Sequence, residues 1–190
     1  MKIVNEIIEE VKSRGDIAIR YYTKKFDKIV LTSFIVTKEE IKEAYKKVDK
    51  EAIEALKLAK KNIEFFAKQQ FKQFKSFEVK NNGIVLGQIV APIERVGVYI
   101  PSGNYPLASS ALMCIIPAKI AGVKQITACS PKIRPETIVA ADMAGADKIF
   151  KIGGVQAIAA MAYGTKQIQK VDKIVGAGNM YVTAAKKAVY

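Results

Sequence analysis

Residues 96–122 read VGVYIPSGNYPLASSALMCIIPAKIAG, and the order of residue types in this stretch decides the fold. Val96, Val98 and Ile100 alternate as β-formers, Pro101 and Gly103 stop the strand, and an apolar helical run follows. Ser109 and Ser110 stand where a helix N-cap would satisfy orphan N–H groups. The stretch therefore reads as strand, loop and helix. Pro117 inside that helix predicts a kink or a break, because its ring removes a donor and crowds the preceding turn.

The same grammar repeats downstream. Residues 125–129 make a second apolar strand, Pro131 stops it, and Pro135 opens a helix running to Ala144 with Gly145 beyond it. Residues 148–152 make a third strand, after which Gly153-Gly154 turns the chain into a helix over residues 155–163, ended by Gly164. The fourth strand, residues 173–175, meets Gly176-Ala177-Gly178-Asn179 before a last helix. Such alternation predicts a parallel sheet covered on both faces, with right-handed crossovers. Ligands of such sheets bind outside the carboxyl ends of the strands, where residues 99–103, 153–156 and 176–179 would all sit.

Upstream the pattern is helical. Ile3, Val4, Ile7, Ile8 and Val11 recur at helical spacing and Gly15 closes that helix. Asp16 is placed to cap a second helix, and Thr37 with Glu40 forms a capping box for a third. Asp49 begins a longer helix, with Ile53, Leu56, Ile63, Phe66 and Phe74 on one face. Residues 77–80 and 84–90 flank Asn81-Asn82-Gly83, whose Asn-Gly pair supplies the positive backbone angles of a tight hairpin. Composition changes near Ala91, which divides the chain into a helical region with a short hairpin, residues 1–90, and a Gly-punctuated α/β domain, residues 91–190.

With 190 residues, half of them hydrophobic, the chain can bury a real core. No apolar run approaches the roughly 20 residues of a membrane span, and the first residues lack the apolar block of a signal peptide, so a cytoplasmic protein with no membrane partner is expected. The net charge is +13, yet only Arg14, Arg20, Arg95 and Arg134 are arginines, and the lysines are spread over helical faces. That distribution is a solvated surface, with no nucleic-acid partner expected. The count of histidine is zero, which removes the commonest general base and the commonest metal ligand. Cys114 and Cys129 lack metal-ligand spacing and lie in apolar segments, as buried free thiols do. Asp142, Asp147 and Asp172 read as caps or solvated charges.

The three glycine-bearing loops suit a nucleotide, because glycine lets a phosphate or sugar approach N–H groups at a helix N-terminus. Their spacing is not the dinucleotide fingerprint: Gly176-x-Gly178 lacks the third glycine and Gly153-Gly154 is a doublet. Tight turns alone call for the same glycines.

A family resemblance adds to this reading. Gly97, Tyr99, Pro101 and Gly103, then Ser109, Ser110, Leu112, Met113, Pro117, Ala118, Lys119, Ala121 and Gly122, match the loop and helix motifs of histidinol dehydrogenases. Residues 15–27, GDIAIRYYTKKFD, 153–165, GGVQAIAAMAYGT, and 171–186, VDKIVGAGNMYVTAAK, are similar to further motifs of that family. Ser102 and Ala177 depart from it, standing where a glycine and a proline are usual. The resemblance implies oxidation of L-histidinol to L-histidine through the aldehyde in two NAD-dependent steps. Zinc holds the substrate in that family, and a Glu-His pair handles protons. It also implies a cytoplasmic homodimer. By motif position, Tyr99, Gln156 and Asn179 correspond to residues that contact NAD, offering a ring face and hydroxyl, and amides that donate and accept. The family's zinc ligands and acid-base pair come from a later region, so no catalytic or metal-binding residue is assigned here, and this chain alone is expected to be inactive. The expected fold is α/β: an incomplete Rossmann-like parallel sheet with helices on both faces, preceded by an amino-terminal helical region. The alternative is a stand-alone, non-catalytic protein derived from that family that binds a nucleotide or a partner.

Overall fold

A computed structural model describes residues 2–103 and 105–190, and a four-stranded parallel sheet lies at its centre. Its strands are β3 (Arg95–Tyr99), β4 (Gln125–Cys129), β5 (Lys148–Phe150) and β6 (Lys173–Val175), in the order β5-β4-β3-β6. Val98 sits at its middle, level with Ala128 on one side and Val175 on the other. The chain steps outward from β3 to β4 and β5, then crosses back to lay β6 on the far side of β3. The order reverses there, and crevices of open α/β sheets form at such reversals.

Strand alternation divides the core in two. Val96, Val98, Ile100, Ile126, Ala128 and Ile149 enter one apolar cluster; Tyr99, Cys129 and Phe150 enter the other. Helices α5 (Ala108–Ile120) and α6 (Pro135–Ala144) cover the first face, and α7 (Gly154–Tyr163) and α8 (Met180–Ala188) the second. Gly97 faces α7, and a Cβ there would lie 2.6 Å from Met161 Sδ, so glycine lets the helix approach the sheet.

The amino-terminal helices extend both cores. α1 (Lys2–Arg14) and α2 (Asp16–Asp27) pack on the α7 side, burying Val4, Ile7, Ile8, Val11 and Ile19. α3 (Lys38–Lys47) and α4 (Lys50–Phe71) pack on α6 and α5. Between α2 and α3 the chain covers the outer edge of β5. Val36 N–H donates to Ile149 O at 2.8 Å, Lys151 N–H donates to Phe34 O at 2.7 Å, and Phe34 is fully buried. Among the described residues no helix is long and apolar enough to cross a membrane.

Several local expectations hold. The Thr37 capping box forms: Glu40 N–H donates to Thr37 Oγ1 at 3.2 Å and Thr37 N–H to Glu40 Oε2 at 2.8 Å. The hairpin of β1 (Phe77–Asn81) and β2 (Ile84–Gln88) turns through Asn82 at φ 48° and Gly83 at φ 81°. Of the two thiols expected to be buried, Cys129 is fully buried and Cys114 only half-buried. The three aspartates differ from expectation: they are neither caps nor simply solvated but tie elements together, the Tyr45 hydroxyl donating to Asp142 Oδ2 at 2.9 Å, Ile126 N–H to Asp147 Oδ2 at 2.7 Å and Arg95 N–H to Asp172 Oδ2 at 2.9 Å.

Others are corrected. Ser109 and Ser110 lie inside the first turn of α5, whose cap is Leu107 with no side-chain bond. Asp16 is the first residue of α2 and Gly15 is its cap. The chain turns there on the positive φ of glycine, which leaves the carboxylate one position too late to cap. α5 runs through Pro117 without a break; the proline is near the helix end, where its carbonyl accepts from Ala121 N–H at 2.9 Å. α4 ends at Phe71, and Ile53, Leu56 and Ile63 reach the core while Phe66 and Phe74 stay 63% and 62% exposed.

Candidate functional site

At the carboxyl edge of the sheet the loops after all of its strands meet the amino-terminal helices around a cavity of about 550 Å³. Tyr99, Gln156 and Asn179 all line it, so the structure brings the sequence-derived residues into one crevice. Each is held in a different way.

Tyr99 ends β3 and is only 4% exposed. Its hydroxyl accepts from Gly154 N–H at 3.1 Å, joining β3 to the start of α7. Burial pushes its pKa up, with the Gly154 bond pulling the other way. The phenol therefore stays protonated at neutral pH, and little of its ring is open for stacking.

Gln156 lies in the first turn of α7, 1% exposed, and its Oε1 has no hydrogen-bond partner among the described residues. A buried acceptor left this way costs about 1–3 kcal/mol. The side chain is thus set to receive a donor from whatever enters the cavity. Gly154 beside it has φ 66°, and a Cβ there would lie 2.8 Å from Oε1.

Asn179 caps α8, its Oδ1 accepting from Tyr181 N–H at 3.1 Å and Val182 N–H at 3.0 Å. Its oxygen is engaged by its own helix, so its NH₂ is the group left for a ligand. The loop before it is tight: Gly176 has φ 106°, and a Cβ there would collide with the Tyr99 carbonyl oxygen. Lys186 Nζ donates to Gly176 O at 2.6 Å and closes the loop from behind.

The opposite wall was not read from the sequence. Ile3 and Ile7 of α1 and Phe26 and Asp27 of α2 complete the cavity. Helical periodicity could not place them against loops more than seventy residues downstream; the one available signal was the motif ending at Phe26-Asp27. Asp27 is half-buried, its pKa raised by burial and drawn down by Lys132. Among the described residues no group of three or more His, Cys, Asp or Glu is placed to hold a metal ion. The crevice offers donors, the orphaned Gln156 oxygen, the Asp27 carboxylate and apolar walls, a set that binds and orients a polar ligand.

The sequence profile of histidinol dehydrogenase matches the chain over residues 1–190. The chain belongs to the histidinol dehydrogenase family. It is similar to the histidinol dehydrogenase of Methanocaldococcus jannaschii, 53% identical over 98% of this chain and 45% of that protein. The histidinol dehydrogenase of Clostridium acetobutylicum is 50% identical over the whole chain and 45% of its own length. In three dimensions the chain resembles the crystal structure of histidinol dehydrogenase from Elizabethkingia anophelis, with a TM-score of 0.93 and 42% identity over 99% of this chain and 44% of that one. The chain thus spans somewhat under half the length of the histidinol dehydrogenases it matches.

Proposed function

We propose that this chain is the NAD-binding portion of a histidinol dehydrogenase, serving the oxidation of L-histidinol to L-histidine through the aldehyde in the cytoplasm, as part of a homodimer. The observation that carries the reading is the orphaned Oε1 of Gln156, buried at the helix N-terminus that faces the crevice. An amide or ribose hydroxyl would satisfy it, while the Asn179 NH₂ donates from the other side of the sheet's reversal. Held by Gln156 and Asn179, NAD would supply the hydride acceptor for each of the two oxidations, one molecule being reduced per oxidation. The chain's own residues bind and orient: the Tyr99 hydroxyl fixes the Gly154 backbone, and α1 and α2 exclude water from one wall.

Zinc does not fit the residues present. The chain contains no histidine, and among the described residues no acidic or thiol cluster could replace it. Calorimetric titration with NAD tests the cofactor assignment. Binding is expected to be weak, because one portion alone supplies only part of the contacts, and to weaken further in the double substitution Gln156→Ala and Asn179→Ala. Unchanged binding in that variant would remove both residues from the site.

A further inference from the structure

In a sheet ordered like this one, the strand beside the first, here β4, ordinarily ends in an acidic residue that takes the ribose hydroxyls of a dinucleotide. Here β4 ends at Cys129 and continues as Ser130-Pro131-Lys132, with no carboxylate. Pro131 nevertheless lines the same cavity as Asp27, which arrives from the end of α2. Asp27 makes no hydrogen bond or ion pair of 4 Å or less with any described residue, yet Lys132 and Tyr99 both feel its charge. We infer that Asp27 does the work of the missing β4 acid, accepting the hydroxyls of the adenosine ribose and rejecting a 2′-phosphate, so that the site selects NAD over NADP. This inference rests on the NAD reading given above.

The electrostatics of the position agree. A 2′-phosphate brings a charge of about −1.5 to −2 at neutral pH, and it would meet both the Asp27 carboxylate and the negative C-terminal end of α2. Lys132, at the β4 end, would by itself attract that phosphate, and Asp27 offsets it. Removing the carboxylate therefore costs NAD two hydrogen bonds and leaves Lys132 unopposed for NADP.

Dissociation constants for NAD and NADP, measured by calorimetry on the intact chain, on Asp27→Asn and on Asp27→Asn with Lys132→Ala, test this. The parent is expected to bind NADP at least about tenfold more weakly than NAD, like charges being strongly disfavoured in a desolvated contact. Asp27→Asn should narrow that gap about tenfold or more, and the added Lys132→Ala should reopen it. Thermal melting confirms folding, and Asp27→Ser serves if the asparagine variant is unstable. A parent that binds NADP as tightly as NAD, or a ratio unmoved by either Asp27 variant, overturns the inference and leaves the NAD reading standing. A parent that binds neither nucleotide overturns both.

Discussion

Gln156 holds an unmet hydrogen-bonding need in the core of the crevice, and that need separates stability from function. Replacing it by Met keeps the volume and removes the orphan oxygen. Gln156→Met is expected to melt at the same or a higher temperature, by up to about 1 kcal/mol, while NAD binding falls about tenfold; parallel melting and titration check both. Cys129 makes a second residue-scale prediction, since burial pushes its thiol pKa up to about 12. At pH 8 it should resist a thiol reagent in the native protein and react once the chain is denatured. Rapid native labelling at Cys129 would show that β4 is not closed as described. Tyr99, Gln156 and Asn179 were legible as positions because their motifs are local. Their hydrogen bonds were not. Whether the Asn179 oxygen is free depends on whether α8 begins one residue after it, and the burial of the Tyr99 ring depends on α7 returning across the sheet.

Elements were legible where one short-range signal was enough. Thr37-x-x-Glu40 fixed the start of α3, and Pro135 and Gly145 bounded α6. Ser109 and Ser110 misled because serine is equally at home in a first turn, and what starts α5 is its burial between β3 and α6. Residues 34–36 gave no strand signal, since a single bridge is too short for alternation to register. Glu40 joins two of these elements. Its carboxylate completes the Thr37 box and pairs with Lys151 at 2.7 Å, beside the end of β5. Thr37→Ala should therefore cost about 1 kcal/mol in a denaturant titration, and Glu40→Ala more, because it also frees Lys151. At the other side of the sheet Asp172 anchors the start of β3 to β6, and its pKa is lowered, first by the Arg95 backbone N–H. A lowered folded-state pKa stabilises above the unfolded value and is lost as pH falls through the folded one. Amides of β6 should begin exchanging faster only in that acidic window, and Asp172→Asn should abolish the pH step.

At the scale of the whole molecule, the apolar surface that no described element covers is the most consequential feature. Cross-strand pairing puts Phe77, Val79, Leu86 and Ile84 on one face of the hairpin, and every residue of both strands is exposed. Phe65, Phe66, Phe71 and Phe74 are exposed on and just after the last turns of α4. The sequence made both elements predictable but not their lack of cover, because an amphipathic pattern states that a face will be buried and not what will bury it. A two-stranded hairpin is marginal in water by itself, and contiguous apolar patches beyond a few hundred Å² mark interaction sites. The chain is accordingly expected to self-associate, with a light-scattering mass above the monomer value that rises with concentration. Val79→Lys with Leu86→Lys places two charges on the centre of the hairpin face without touching either core. That variant should shift the mass toward monomer while leaving the melting of the sheet unchanged, since no residue of β1 or β2 enters the two buried clusters. A parent that stays monomeric over a wide concentration range would mean that the hairpin tolerates solvent. Association that persists in the double-lysine variant would move the contact to the phenylalanines of α4.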